Sequence, residues 1–234
     1  MRRIGFSTGA LALGDFERAL AIMHGHALEV VELSALREHE LAPLVAATPR
    51  LDLVRYQHVA VHAPKRVAPA DESQVVERLR SLSARGWPVV VHPDAVHDWT
   101  KWEPLGSLLL IENMDRRKAV GRSAEDLQAI FALVPEAGFC FDVGHASQCD
   151  PTMREAHRML RQFRGRLRQV HLSEVTPESR HVRLSPSSVL AVREVADLIP
   201  EHVPIVLESP VSADEIDEEI TRAASALPSA STRT

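Results

Sequence analysis

Short apolar runs recur along the whole chain, and most of them end in a histidine or a carboxylate. The segment 138–146, Gly-Phe-Cys-Phe-Asp-Val-Gly-His-Ala, is the clearest case, because it starts as a strand and ends at Asp142 and His145. By the two-residue period of a strand, its phenylalanines face one side, and Cys140 and Asp142 face the other. A carboxylate and an imidazole three residues apart can converge on one cation. The recurrence therefore predicts several strands whose ends carry metal-binding side chains.

Strand-like and helix-like segments alternate eight times. The strand segments are 4–7, 28–33, 58–64, 88–93, 108–113, 138–142, 168–172 and 203–208. Continuously apolar strands are typical of parallel sheets, and eight such units suit a closed barrel. We therefore predict an α/β fold with a single (β/α)8 TIM barrel over residues 1–227, followed by a disordered small-polar tail at 228–234. An open doubly wound sheet is the alternative, but no glycine-rich phosphate turn follows the first strand.

Helix starts are predicted from capping residues that precede amphipathic segments. Asp15, Asp71, Ser123 and Ser212 are in such positions, and Asp150 with the following proline predicts a further helix start.

Charge and cysteine content limit the class of protein. The 234 residues carry a formal net charge of -5, which argues against a molecule that binds polyanions over its whole surface. Two cysteines make no disulfide framework, so we expect a cytoplasmic protein. No apolar segment is long enough for a signal peptide or a membrane span, and no membrane partner is expected.

In a barrel, all strand ends open onto one face, where barrel active sites lie. The side chains that this face would collect are His62, His92, Glu112, Asp142, His145, His171, Glu208 and, on a following loop, His181. A single histidine at a strand end is usually a satisfied polar group. Eight unpaired ionisable groups at one barrel mouth would be costly, so their joint occurrence predicts a divalent metal. Mixed imidazole and carboxylate ligation suits zinc, manganese, iron or cobalt.

The sequence resembles the xylose isomerase-like barrels, which include many sugar isomerases and epimerases and endonuclease IV (family 2 of the AP endonucleases). The motifs that carry the resemblance are His62-Ala63-Pro64, His92-Pro93, Glu112-Asn113, Asp142-Val143-Gly144-His145, His171-Leu172-Ser173, His181 and Glu208-Ser209-Pro210.

The resemblance implies a ligand set. In the isomerases and epimerases, the positions that match Glu112, Asp142, His171 and Glu208 hold one divalent cation, and the two glutamates also transfer protons. Zinc or manganese is expected above cobalt, iron or magnesium. In the endonuclease IV-like enzymes, further histidines extend the site to as many as three zinc ions; here they match His62, His92, His145 and His181.

Two departures from the endonuclease pattern are visible. An aspartate two residues before the last histidine is replaced by Ser179, with Glu178 beside it. This removes one expected ligand of a third metal. The glycine-rich segment that commonly follows is replaced by residues 185–188, Ser-Pro-Ser-Ser. The chain is also short for a barrel, which leaves little room for loops that grip a duplex.

Several loop residues at the same face are candidates for substrate binding. Lys65, Arg116 and Arg180 would attract an anionic substrate, unless they are ordinary solvated charges. Trp99 would stack on a sugar ring or base, or else pack its own irregular segment.

Three functions remain open on the sequence. The first is isomerisation or epimerisation of a small sugar or phosphorylated substrate, with Glu112 and Glu208 in proton transfer. The second is phosphoester hydrolysis of the endonuclease IV type, although the acidity and short loops disfavour nucleic acid as a partner. The third is a non-catalytic metal-binding or ligand-binding relative. No oligomer interface is visible in the sequence.

Overall fold

Eight parallel strands close into a barrel in the computed structural model, which describes residues 2–227. The barrel strands are β1 (Ile4–Ser7), β2 (Val30–Ser34), β3 (His58–His62), β4 (Val89–Val91), β5 (Leu109–Glu112), β6 (Gly138–Asp142), β7 (Leu167–Leu172) and β10 (Ile205–Leu207). A short antiparallel hairpin, β8 (Glu174–Val175) and β9 (His181–Val182), lies outside the ring. The neighbour order in the ring is β1-β10-β7-β6-β5-β4-β3-β2, and β2 pairs with β1 to close it. The predicted (β/α)8 barrel is therefore confirmed.

Helices flank the strands. They are α1 (Thr8–Leu11), α2 (Phe16–Met23), α3 (Glu38–Ala47), α4 (Glu72–Ser83), α5 (Trp99–Trp102), α6 (Ala124–Leu133), α7 (Val143–Cys149), α8 (Arg154–Gln162), α9 (Pro186–Val195) and α10 (Ile216–Ala226). Within residues 2–227, none of them has the length and apolarity needed to span a membrane. The predicted disordered tail at 228–234 lies outside the described residues.

The structure confirms some of the predicted helix caps and contradicts one. Asp15 accepts from the Arg18 amide at 2.9 Å, and Ser123 accepts from the Asp126 amide at 3.1 Å. Asp71 occupies the N-cap position of α4, but its side chain makes no capping hydrogen bond, so that prediction is wrong.

The helix predicted to start at Asp150 begins instead at Arg154. The Asp150 carboxylate accepts from the amides of Thr152 and Glu155, at 3.0 and 2.9 Å. These bonds hold residues 150–153 as a turn, with Met153 in the left-handed region at φ 57°. The aspartate thus stabilises the turn that precedes the helix.

Strand residues alternate between two cores. On the outside of β6, Phe139 and Phe141 pack in the main apolar core beneath the helices. On the inside, Cys140 packs against Val90 and Leu110, as its predicted inward orientation requires. The small inner core lies toward the amino ends of the strands, because each of its members precedes a candidate ligand by two residues along the chain. It forms the floor beneath the metal-binding face.

The loop after β4 is fixed from outside the barrel by one buried carboxylate. Glu72 is fully buried, and its Oε1 accepts from the His97 amide at 2.7 Å and the Asp98 amide at 3.2 Å. The same oxygen accepts from Trp102 Nε1 at 3.0 Å, while Lys101 Nζ lies 3.2 Å from Oε2. Trp102 is therefore a structural residue of this loop.

Replacing Glu72 by alanine is expected to destabilise the fold by about 3 kcal/mol, because the buried Trp102 indole and two amides lose their acceptor. Urea unfolding would measure the change. The matched control is Glu77→Ala on the exposed face of the same helix, where a surface ion pair contributes about 0.5 kcal/mol or less. Equal midpoints for the two variants would contradict this role for Glu72.

Candidate metal centre

The carboxyl ends of the barrel strands bring all eight predicted ligand residues to one end of the barrel. His62, Glu112 and Asp142 are the last residues of β3, β5 and β6, and His92 and Glu208 come one residue after β4 and β10. The other three are His171 in β7, His145 in α7 and His181 in β9. All except His181 are buried; the side chain of His181 is 20% exposed. The predicted gathering of these side chains is what the fold produces, while their roles as ligands stay predictions.

Glu112 lies at the centre of a ring of imidazoles. Its Oε2 is 3.3 Å from Nε2 of both His62 and His92. Its Oε1 is 3.3 Å from His145 Nδ1 and 3.5 Å from His171 Nδ1. One carboxylate therefore faces four imidazoles, which is an arrangement suited to a bridging ligand.

Glu208 faces the part of the cluster nearest to solvent. Its Oε2 lies 3.6 Å from His171 Nδ1 and 3.5 Å from His181 Nδ1. Ser173 Oγ is hydrogen-bonded to His181 Nδ1 at 2.8 Å. These contacts connect the most exposed imidazole to the buried carboxylates.

Asp142 divides its two oxygens between the backbone and the cluster. Oδ1 accepts from the His145 amide at 2.7 Å and so caps α7, whereas Oδ2 lies 3.4 Å from His145 Nδ1. The Asn113 amide group clasps the Asp142 backbone, donating to its carbonyl and accepting from its amide, both at 2.8 Å. A Cβ on Gly144 would lie 2.7 Å from the Ser173 carbonyl oxygen, so only glycine lets α7 start this close to β7.

A backbone carbonyl sets which nitrogen of His62 faces the cluster. His62 Nδ1 is 2.7 Å from the Ala63 carbonyl, and donation to it leaves the lone pair of the neutral ring on Nε2, which faces Glu112. His145 differs, because its Nδ1 lies 3.0 Å from the Asn113 carbonyl and also faces Glu112 and Asp142.

The donor atoms fit a divalent metal. Three of the candidate ligand residues each have a buried atom that faces the cluster and has no hydrogen-bond partner in the described part of the chain: Asp142 Oδ2, His171 Nδ1 and Glu208 Oε2. Buried polar groups are nearly always paired, and a divalent cation would satisfy these three atoms together.

Four sets of possible ligand atoms, each within 4.8 Å of one another, occur in the described residues, and three of them consist only of predicted ligand residues. These three are His62, His92 and Glu112; Glu112, Asp142, His171 and Glu208; and Asp142, His145 and His181. Glu112 and Asp142 each belong to two sets. The arrangement can hold one metal in the four-residue set, or several that share these carboxylates.

Burial and the charges of neighbouring groups shift the pKa values of the cluster residues. Burial raises the pKa of Asp142 to about 7. Burial lowers the pKa of His145, but the neighbouring Asp142 and Glu112 carboxylates outweigh it and raise the value to about 9. Burial lowers the pKa of both His92 and His181 to about 4. Protons therefore occupy part of the cluster near neutral pH.

A further buried ionisable residue, Glu32, adjoins the cluster. Its Oε2 lies 2.9 Å from His171 Nε2 and accepts from Gln169 Nε2 at 2.7 Å. Sequence analysis assigned Glu32 only to the second strand. The available signal was a carboxylate in the middle of a continuously apolar run, Val-Val-Glu-Leu.

The predicted substrate-binding residues lie in different environments. Lys65 is half-buried just after β3, and Arg180 is exposed next to β9. Arg116 is exposed and donates to the Pro177 carbonyl. Trp99 is half-buried and packs against the main apolar core. Their roles in substrate binding stay predictions.

Ser179, at the position of the expected aspartate, forms a hydrogen bond to a glutamine. It has φ 57°, and its Oγ is hydrogen-bonded to Gln148 Nε2 at 2.8 Å. The exposed Glu178 contributes only its carbonyl, to Arg117. Neither residue replaces the missing carboxylate ligand.

Comparison with known proteins agrees with this fold. The profile of the xylose isomerase-like TIM barrel family matches residues 57–227. No protein of the curated collection matches the sequence.

Three solved structures illustrate the structural similarity. Endonuclease IV from Thermus thermophilus has a TM-score of 0.62 at 19% identity, over 96% of this chain and 98% of that one. A xylose isomerase-like TIM barrel protein from Mycobacterium smegmatis, in complex with magnesium, has a TM-score of 0.59 at 13% identity, over 97% and 98%. A proposed sugar phosphate isomerase/epimerase from Anabaena variabilis has a TM-score of 0.54 at 14% identity, over 94% and 88%. At these identities the similarity is one of fold.

Proposed function

The chain belongs to the xylose isomerase-like TIM barrel family, and we propose that it is a divalent-metal enzyme that isomerises or epimerises a small sugar-like substrate. The observation that carries this proposal is the four-residue set of Glu112, Asp142, His171 and Glu208, which offers one buried ligand atom from each residue. Two glutamates and a complete set of donors for one ion are what this chemistry requires.

The same four residues would hold the metal, for which zinc or manganese suits the mixed nitrogen and oxygen donors. A bound divalent cation supplies Lewis acidity that polarises a substrate carbonyl. His171 and Asp142 act in this scheme only as ligands, because each contributes one unpaired atom to the set.

Glu112 and Glu208 would move the proton. Burial raises the pKa of both carboxyls, but the surrounding imidazoles outweigh it and lower both values, so both groups are ionised bases. One of them removes the proton from the carbon next to the carbonyl, and the resulting carboxylic acid or its partner returns a proton. Return to the neighbouring carbon, with transfer of the hydroxyl proton to the former carbonyl oxygen, isomerises the substrate, and return to the opposite face of the same carbon epimerises it.

Lys65 supports a substrate with one anionic group. Burial is the main cause of the lowered pKa of His92 and His181, and the positive charge of Lys65 adds to it, so the ammonium lies near the cluster. Among residues 2–227, no hydrogen bond or ion pair holds this ammonium. A phosphate or carboxylate of the substrate would pair with it. The rim arginines Arg116 and Arg117 are instead held by Pro177 and Asp115 of the same chain, which leaves little free charge for a polyanion.

A second candidate function is phosphoester hydrolysis by several metals. The observation that favours it is the sharing of Glu112 and Asp142 between ligand sets that add His62, His92, His145 and His181. Neighbouring metals that share carboxylates stabilise the attacking and leaving oxygens of a displacement. Ser179 counts against the third of these metals, because it replaces an expected ligand.

The first test is elemental analysis of protein purified without added chelator or metal, beside His62→Ala and the exposed-surface control His24→Ala. One metal per chain, unchanged by His62→Ala, is the expected result, and aldose and ketose phosphates would then be assayed. Two or three metals per chain, with loss only in His62→Ala, would instead support the hydrolase, to be assayed on phosphodiesters. Protein that contains no metal and binds neither zinc nor manganese on titration would contradict both functions.

A further inference from the structure

We propose that Glu32 is a positioning residue for the metal centre: its carboxylate holds the Nε2–H of His171, so that Nδ1 is the nitrogen presented to the metal. This inference rests on the proposed metal-binding function. Glu32 itself would touch neither metal nor substrate.

The imidazole of His171 lies between two sets of carboxylates. On one side, Nε2 is 2.9 Å from Glu32 Oε2. On the other side, Nδ1 lies 3.5 Å from Glu112 Oε1 and 3.6 Å from Glu208 Oε2. Nδ1 has no hydrogen-bond partner in the described chain, whereas Nε2 does. Nε2 therefore contacts Glu32, and Nδ1 faces the candidate metal site.

A buried amide fixes the Glu32 carboxylate. Gln169, two residues before His171 on β7, donates from Nε2 to Glu32 Oε2 at 2.7 Å. Its Oε1 lies 2.9 Å from His58 Nε2, and donation by His58 turns the amide nitrogen toward Glu32. The chain of contacts therefore runs from the amino end of β3 through the barrel interior to the cluster. It fixes the orientation of His171 from below.

Direct ligation by Glu32 is the main competing assignment. Glu32 forms a possible ligand set with His62, His171 and Glu208. The Gln169 amide argues against it, because its nitrogen is 2.7 Å from Glu32 Oε2 and 2.9 Å from His171 Nε2. Donor hydrogens thus point to the place where a cation shared by these two atoms would lie. In the proposed arrangement the amide nitrogen donates to Glu32 Oε2 and to Cys140 Sγ, 3.8 Å away, while His171 Nε2 donates to the same Glu32 oxygen.

The chemical consequence is a better ligand. A carboxylate that accepts the remaining N–H of a ligating imidazole fixes the tautomer, orients the ring and increases its basicity. Removal of such a partner typically weakens metal binding about 10- to 100-fold.

The test combines zinc affinity with a spectrum that reports the tautomer. Three variants are needed: Glu32→Met, which removes the acceptor; Glu32→Gln, which keeps the shape; and the control Glu29→Gln, which neutralises a carboxylate just before the same strand. Competition with a chromophoric chelator should show zinc dissociation constants raised about 10- to 100-fold in Glu32→Met. The constant for Glu29→Gln should match that of the unmodified protein.

Long-range ¹H–¹⁵N spectra of the histidine side chains provide the second readout. His171→Asn identifies the signal of His171 by its loss. In the zinc-loaded protein the His171 ring should carry its proton on Nε2, and this pattern should change in Glu32→Met. A proton on Nδ1 in the unmodified protein, or unchanged zinc affinity in both Glu32 variants, would overturn the proposal.

The spectrum also separates this inference from the proposed function. If the unmodified protein binds neither zinc nor manganese, the metal-dependent function fails. Burial lowers the pKa of His171, but the neighbouring acidic groups outweigh it and raise the value well above the usual range, so the metal-free spectrum is recorded at a pH where the ring is neutral. The tautomer then still decides on Glu32: Nε2–H supports the positioning contact, and Nδ1–H contradicts it. This measurement needs no variant to fold except His171→Asn.

Discussion

Replacing Glu208 by glutamine is expected to reduce kcat by about 10²- to 10⁴-fold, the usual contribution of a positioned acid or base. Glutamine keeps the shape of the side chain and one oxygen, but it cannot accept a proton from carbon. Glu208 is the more exposed of the two buried glutamates, at 8% against 1% for Glu112, which places it nearer to an entering substrate. The measurement is kcat and KM at saturating metal, on the substrate that the aldose and ketose assays identify.

Metal content has to be determined in parallel, since Glu208 is also a proposed ligand. The control is Glu194→Gln, which removes a carboxylate from the exposed face of α9. Normal turnover by fully loaded Glu208→Gln would exclude proton transfer by this residue. Substrate binding without turnover, equal in the unmodified protein and the variant, would instead support a non-catalytic relative.

Removal of the metal is expected to give a protein whose thermal stability falls as the pH rises from about 6.5 to about 9. The pKa of His145 is raised to about 9, and that of Asp142 is raised to about 7. In this window the folded metal-free chain holds more protons than the unfolded chain. The free energy of unfolding therefore decreases with pH.

The signs of the individual contributions are consistent in this window. Stability from His145 is complete below its unfolded pKa of about 6.5 and is lost as the pH passes about 9. Stability from protonated Asp142 is lost as the pH passes about 7. His92 and His181, with pKa values lowered to about 4, act in the opposite direction, but only between about pH 4 and 6.5.

Calorimetry in excess chelator would measure the effect, which should be on the order of 5–10 °C in Tm between these pH values. The zinc-loaded protein should show no such decrease, because metal binding requires deprotonated ligands and strengthens with pH. Asp142→Asn, which lacks the titrating carboxyl, should give a shallower slope. A metal-free Tm that rises between about pH 6.5 and about pH 9 would contradict this account of the cluster.

The sequence predicted the barrel and the gathering of ligand residues because both depend on local patterns. An apolar run that ends in His62, Glu112 or Asp142 indicates both where the strand ends and which side chain lies at that end. The inward orientation of Cys140 follows from the same two-residue period. In a closed parallel barrel, strand ends meet at one face whatever the details of the helices.

The features that sequence analysis missed depend on distant partners. Glu32 contacts Gln169 and His171, which are 137 and 139 positions away, and nothing near Glu32 in the chain indicates them. Trp102 is held by Glu72, 30 positions earlier, through a helix-to-loop contact. These residue pairs are brought together by strand register and helix packing. Short-range sequence patterns carry no information about either.

The two roles of Asp142 limit which substitutions this centre can accept, whether by design or by mutation. One carboxylate oxygen accepts a hydrogen bond from the His145 amide and caps α7, while the other belongs to the proposed ligand set. The Asn113 side chain is hydrogen-bonded to both the amide and the carbonyl of Asp142. Histidine or glutamate at this position could supply a donor atom, but neither has the short side chain that caps the helix. Attempts to change metal preference should therefore vary the histidines around Glu112 first. Libraries that randomise Asp142 should return mainly aspartate, with asparagine as the alternative that still caps the helix, since longer side chains give up the start of α7.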